Sequence, residues 1–198
     1  NAVITSFTSD TVLASVNSAL FTSQTFTADV SSNWFTAANW SGGYVPGVLD
    51  TVNLNSSPTI DGVAMAYSVT AANKTIHFDA PTVSSLAIGS ASPSLGSSAN
   101  PVSINYGDSG KLNLTNQTIN DIEGYVTFNY NGTSYEVIQN TSQLTNLSGD
   151  TVDHNLVIGL DLNLNGQTFT PINQLESGYT LDGLGHTINR LTIDDSSS

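Results

Sequence analysis

Apolar and polar residues alternate in short bursts along most of this chain. Thr51-Val52-Asn53-Leu54, Thr75-Ile76-His77-Phe78 and Lys111-Leu112-Asn113-Leu114 are the plainest cases. A period of two puts every second side chain on one face of an extended strand. The pattern predicts strands at 51–54, 68–70, 75–78, 83–88, 102–106, 111–114, 125–130, 135–138, 156–158, 160–164, 178–181 and 187–193. Turn signals such as Asp61-Gly62, Asp108-Ser109-Gly110, Asn131-Gly132 and Asn165-Gly166 separate them. Asn-Gly favours a two-residue hairpin turn, so Phe128 to Tyr135 is expected to form an antiparallel pair. Thr141 to Leu147 is the one helix candidate. Residues 1–30 read as a short helix followed by a strand, or as two strands. Ala91 to Pro101, rich in Ser, Pro, Gly and Ala, reads as a protruding loop or a soft linker.

Each thin apolar face must be buried. A sandwich, a closed barrel and a β-solenoid all satisfy that demand. Sandwich strands are more evenly spaced and joined by tight hairpins. Here the links vary in length, and the turns are rich in Asn, Ser and Thr, which form ladders when coils stack. The expectation is therefore an all-β fold, a right-handed parallel β-helix or related β-solenoid. Residues 1–50 would be a turn-rich cap or lead-in, and residues 51–198 the coils.

Composition narrows the partners. Only 10% of the 198 residues are charged, against roughly 25% in an average domain. The formal net charge is -13, and the basic residues are Lys74, Lys111 and Arg190. Three scattered cations cannot build a phosphate-neutralising patch, so nucleic acid is not an expected partner. No apolar run approaches the roughly 20 residues of a membrane helix, so this segment is not expected to insert in a bilayer. The chain has no cysteine, which excludes disulfides, zinc thiolates and cysteine nucleophiles. An acidic, weakly charged surface suits an extracellular setting.

Both tryptophans fall in Trp34-Phe35-Thr36-Ala37-Ala38-Asn39-Trp40-Ser41-Gly42-Gly43, ahead of a Pro46-Gly47 turn. Read as residues alone, Trp34 and Trp40 plug a small core rather than form a binding platform. The stretch also resembles a segment that recurs in autotransporter passenger proteins. That resemblance implies that the two are anchors sealing an end or corner of a solenoid.

Near the C-terminus, Gly178-Tyr179-Thr180-Leu181 leads into Asp182-Gly183-Leu184-Gly185-His186, and Thr187 to Ile193 leads out. Gly takes positive φ without strain, so Gly183 and Gly185 mark a tight corner. Asp182 reads as a turn-forming residue, and His186 is expected to bond a backbone carbonyl or the Asp182 carboxylate. Ile188 is expected to face inward, so a polar replacement should cost several kcal/mol, as a large core truncation does. Three further pieces precede the corner in order: Val137-Ile138 with Gln143-Leu144, then Leu160-Asp161-Leu162, then Phe169-Thr170-Pro171-Ile172. Together, across 135–193, the four resemble the GLUG repeat region of large bacterial surface adhesins. The resemblance implies a non-catalytic, secreted or cell-surface protein that presents loops to a host-cell surface, a glycan or copies of itself. The chain departs from the repeat at Leu184, where the repeat carries Asn or another polar residue.

Pectate-lyase-like enzymes share the parallel β-helix, so a carbohydrate-active enzyme is the rival reading, and a filament or surface-layer subunit is a third. The carboxylates are scattered, several of them beside turn glycines, as Asx-turn residues are. His77, His154 and His186 lack ligand spacing, and no Gly-x-Ser-x-Gly elbow is present. No catalytic residue is assigned. Calcium is the only ion suggested: Asp108, Asp194 and Asp195 offer oxygen ligands, though in no EF-hand or nonapeptide pattern. Asn-x-Ser/Thr triplets begin at Asn39, Asn55, Asn73, Asn113, Asn116, Asn131, Asn140 and Asn146, each a glycosylation candidate.

Overall fold

Alternation alone cannot hold a four-residue strand together. A buried Leu or Ile contributes roughly 1.5–3 kcal/mol, and ordering the backbone costs about 1–2 kcal/mol per residue. Such strands persist only when stacked on neighbours, and stacking organises this chain. The computed structural model describes residues 22–79, 84–90, 92–114 and 126–193. Expectations for residues 1–21, and for Asn116, Asp194 and Asp195, lie outside the described residues.

The first half carries β1 (Ser23–Phe26), β2 (Thr51–Leu54), β3 (Thr59–Ile60), β4 (Val63–Ala66) and β5 (Ser68–Ala71). It continues with β6 (Thr75–Phe78), β7 (Ser84–Ile88), β8 (Ser94–Leu95), β9 (Ser103–Asn105) and β10 (Gly110–Leu114). From β2 onward the chain deals its strands in rotation onto three parallel sheets, ordered β1-β2-β5, β3-β6-β9 and β4-β7-β10, except that β8 joins a sheet of the second half. Registers run straight across them. Phe26 lies beside Leu54 and Leu54 beside Ala71; Ala64 lies beside Leu86 and Leu86 beside Leu112; Ile60 lies beside Phe78. All of these side chains are buried in one apolar cluster. Small Ala64 and Ala66 stand next to larger Leu86 and Ile88, a mixture of sizes that fills an interior closely.

The second half opens with the expected hairpin. Strands β11 (Val126–Tyr130) and β12 (Thr133–Ile138) pair antiparallel, with Phe128 opposite Tyr135. Asn131 and Gly132 take φ of 52° and 83°, the left-handed pair that a type I′ turn requires. The helix candidate is also present as α1 (Thr141–Asn146). Asn140 Oδ1 accepts from the Gln143 N–H at 2.9 Å, and Gln143 Oε1 accepts from the Gln139 N–H at 2.8 Å. This resembles a capping box shifted by one residue.

The short strands β13 (Thr151–Val152), β14 (Leu156–Ile158), β15 (Leu162–Asn163) and β16 (Thr168–Phe169) follow. The last set is β17 (Gln174–Leu175), β18 (Leu181–Asp182), β19 (Ile188–Asn189) and β20 (Thr192–Ile193). Parallel pairs link β12-β14-β18, β13-β17, β15-β19 and β16-β20. A second apolar cluster forms here around Ile138, Leu144, Val152, Leu156, Leu162, Leu164 and Phe169. The halves are joined because β11 also runs parallel to β8. Among the described residues, every strand pair except β11–β12 is parallel.

One expectation needs correction. Ile188 does not face a filled interior: it is 36% exposed, although its register partner Leu162 is buried. A row of inward side chains is covered only where another strand lies above it, and none lies above β19 among the described residues. Of the two readings of Ala91 to Pro101, a protruding loop or a soft linker, the described residues fit a loop tied down by its neighbours. Leu95 and Val102 are buried at its ends. The Asn131 side chain accepts from the Val102 N–H at 2.7 Å and donates to the Val102 carbonyl at 2.8 Å. The hairpin tip thereby pins the loop.

Candidate functional site

The corner around His186 gathers several polar side chains. Asp182 Oδ1 accepts from the Leu184 N–H at 2.9 Å, and the Gly183 carbonyl accepts from the His186 N–H at 2.8 Å. Gly185 has φ of 84° and presses on β10: a Cβ there would lie 2.1 Å from the Gly110 carbonyl oxygen. Only glycine fits, on both conformational and contact grounds. Leu184, also at positive φ (47°), is 1% exposed and belongs to the first apolar cluster. Its carbonyl accepts from the Leu112 N–H at 3.1 Å. Leu184 thus plugs the core beside β10.

His186 reaches a backbone carbonyl as expected, with Nε2 2.9 Å from Leu112 O. Its other nitrogen, Nδ1, lies 3.2 Å from Asp161 Oδ1, not against the Asp182 carboxylate. Asp161 is the residue that the sequence reading passed over. It also receives the Thr187 N–H at 3.0 Å and pairs with Lys111 Nζ at 2.5 Å. Partial burial works against its charge, but bonds from Lys111, Thr187 and His186 outweigh that and hold its pKa down at about 2. The only available signal was its place between Leu160 and Leu162, one polar position between two apolar ones. The His186 side chain is 1% exposed, and both ring nitrogens face protein acceptors. The group ties β10 to two later turns and leaves no ring nitrogen for a substrate.

Trp34 and Trp40 are buried with Phe26. Trp34 and Trp40 meet edge-on at 4.7 Å, and Trp40 meets Phe26 at 4.9 Å, arrangements that aromatic quadrupoles favour. Trp40 Nε1 donates to the Trp34 carbonyl at 2.6 Å. The segment is further fixed by Asn39, whose Oδ1 accepts from the Val30 and Ser31 N–H groups, both at 3.0 Å. Asn39 is fully buried, so the folded chain offers no room for a glycan there, which corrects that candidate. Asn131 and Asn140 spend their side chains on the Val102 backbone and the helix cap. Asn55, Asn73 and Asn146 are exposed, and Asn113 is half-buried.

An open groove of about 450 Å³ runs over the β3-β6-β9 sheet, lined by Thr59, His77, Phe78, Asp79, Asn105 and Gly107. Register places Asn33, Thr59, His77 and Asn105 in one outward row. Beside it Tyr106 stacks on Phe78 at 5.9 Å. Burial, then the Asp182 charge, raises the pKa of its hydroxyl above the ordinary value. The groove brings in one carboxylate, Asp79. Among the described residues, no three His, Asp or Glu side chains are placed to hold a metal ion. Asp108 stands exposed in the turn before β10, apart from other carboxylates that could complete a calcium site.

Comparison with family models, with curated proteins and with solved structures yields no match to this chain.

Proposed function

We propose that this chain is a non-catalytic β-solenoid segment, a right-handed parallel β-helix, of a secreted bacterial surface adhesin. The observation that carries the reading is the rotation of consecutive strands onto three parallel sheets with straight registers. A stack of this kind makes a stiff rod and leaves its outward rows and loops free for contact. The GLUG-like order of pieces across 135–193 supports the same class. The outward Asn33–Thr59–His77–Asn105 row and the loop pinned by Asn131 are rigid polar surfaces suited to the hydroxyls of a cell-surface glycan. Rigid presentation limits the entropy lost on binding.

The test is binding of the labelled chain to glycan-bearing cells and immobilised glycans. Saturable binding, weakened by His77→Ala together with Asn105→Ala, is the expected result. Absence of saturable binding would sink the adhesive reading, and release of sugar products from a polysaccharide would replace it with the enzyme reading.

A further inference from the structure

The chain carries two Asn-Gly dipeptides, Asn131-Gly132 and Asn165-Gly166. Both form the same kind of turn: the asparagines take φ of 52° and 47°, the glycines 83° and 79°. Their side chains stand in different surroundings. The Asn131 amide is engaged at both ends, Oδ1 accepting from the Val102 N–H at 2.7 Å and Nδ2 donating to the Val102 carbonyl at 2.8 Å. Gly132 is packed as well, since a Cβ there would lie 2.0 Å from Ser98 Oγ. Asn165 is exposed, and a Cβ on Gly166 would meet nothing within 4 Å. Its Oδ1 receives one bond, from Arg190 Nη1 at 3.3 Å, and its Nδ2 gives none among the described residues. This turn joins β15 to β16, and β19 and β20 lie alongside both strands, so its contacts are set within the described residues.

We propose that Asn165 is a self-modification site, where the turn converts its own amide to a carboxylate while Asn131 is spared. The Gly166 backbone nitrogen attacks Asn165 Cγ and gives its proton to a solvent base. The new N–Cγ bond closes a succinimide ring, and the Cγ–Nδ2 bond breaks as ammonia leaves with a proton taken from water. Water then adds to either ring carbonyl and the ring C–N bond breaks, which yields aspartate or isoaspartate. One water is consumed and one ammonia released, with no oxidation or reduction. Space and charge both favour position 165. Glycine has no Cβ to obstruct its nitrogen, and the open surroundings of Gly166 let the turn rotate into the attacking geometry. Negative charge develops on Oδ1 as the ring closes, and that is the oxygen Arg190 already touches. The product aspartate keeps Arg190 as an ion-pair partner. At Asn131 both bonds to Val102 must open first, which slows that site by at least about tenfold. The inference rests on turn geometry and stands apart from the adhesive reading.

The test is to incubate the folded 198-residue chain in mildly alkaline heavy-oxygen water, digest it in acid and read both dipeptides by mass spectrometry. Acid and isoaspartyl forms carrying a solvent oxygen are expected at Asn165 at least about tenfold faster than at Asn131. In urea the two rates should converge, because the dipeptides are identical once the fold is gone. Equal rates in the folded chain overturn the proposal, and so does a preference for Asn165 that persists at full size in urea. Arg190→Gln should slow Asn165 by about threefold, a modest effect because the charge is exposed. The Asn131 rate should stay low in that variant, which reports that it is folded. An unchanged Asn165 rate there overturns the part given to Arg190.

Discussion

The first and the last strands among the described residues are built on the same alternation and reach opposite results. Around β1, Phe26, Trp34 and Trp40 are all under 4% exposed, held by an edge-on ring contact and by the Asn39 bonds. Around β18, β19 and β20, Leu181, Ile188 and Ile193 point the same way as buried partners one strand earlier and remain open. Large rings on an irregular segment can close over an interior, whereas a strand of small aliphatics depends on the next strand to cover it. Local pattern sets the direction of a side chain, and stacking decides whether that direction is inside.

The sharpest way to break this contrast is at the aromatic end. Trp34→Ala should lower stability by about 3–5 kcal/mol in urea unfolding, as removal of a buried aromatic does. A loss below about 1 kcal/mol would mean that Trp34 covers little of the interior. Leu184→Asn comes next. Asn suits the left-handed backbone at this position, but the apolar plug beside β10 is lost, so a drop of about 1–3 kcal/mol is expected. An unchanged melt would show that the plug is dispensable.

Asp161 tests the tie between the halves through pH. Its folded pKa of about 2 lies below the ordinary 3.8. Its contribution is therefore present above about pH 4 and is lost as pH falls through about 2. Wild-type stability should decline over that window, and Asp161→Asn should remove that part of the decline. With the carboxylate 45% exposed, the difference should stay under about 1 kcal/mol. The smallest effect is expected at the open end. Ile188→Asn should shift stability by no more than about 0.5 kcal/mol in a thermal melt. A loss as large as that of Leu184→Asn would show that Ile188 is covered after all.

Much of this was legible in the chain because its causes are local. The Asn131-Gly132 hairpin follows from two residues that tolerate positive φ, and the helix at Thr141–Asn146 from the spacing of Asn140 and Gln143. Two-residue strands such as β3, β13 and β17 escaped notice because so short a piece carries no periodicity. Asp161 escaped for a different reason. Its partners Lys111, His186 and Thr187 are distant in sequence, and only the stacking of β10 against two later turns brings them to one carboxylate.

The sequence by itself determined the alternation, the turn chemistry, the sparse charge and the absence of cysteine, and with these an all-β chain that must stack to survive. Period and φ preference are properties of a residue and its immediate neighbours. The tertiary structure alone decided that Leu184 is core and Ile188 is surface, that His186 answers to Asp161, and that Asn39 is sealed from solvent. Burial and pairing belong to whatever strand lies alongside, and in parallel sheets that neighbour is distant in sequence, as Leu162 is from Ile188.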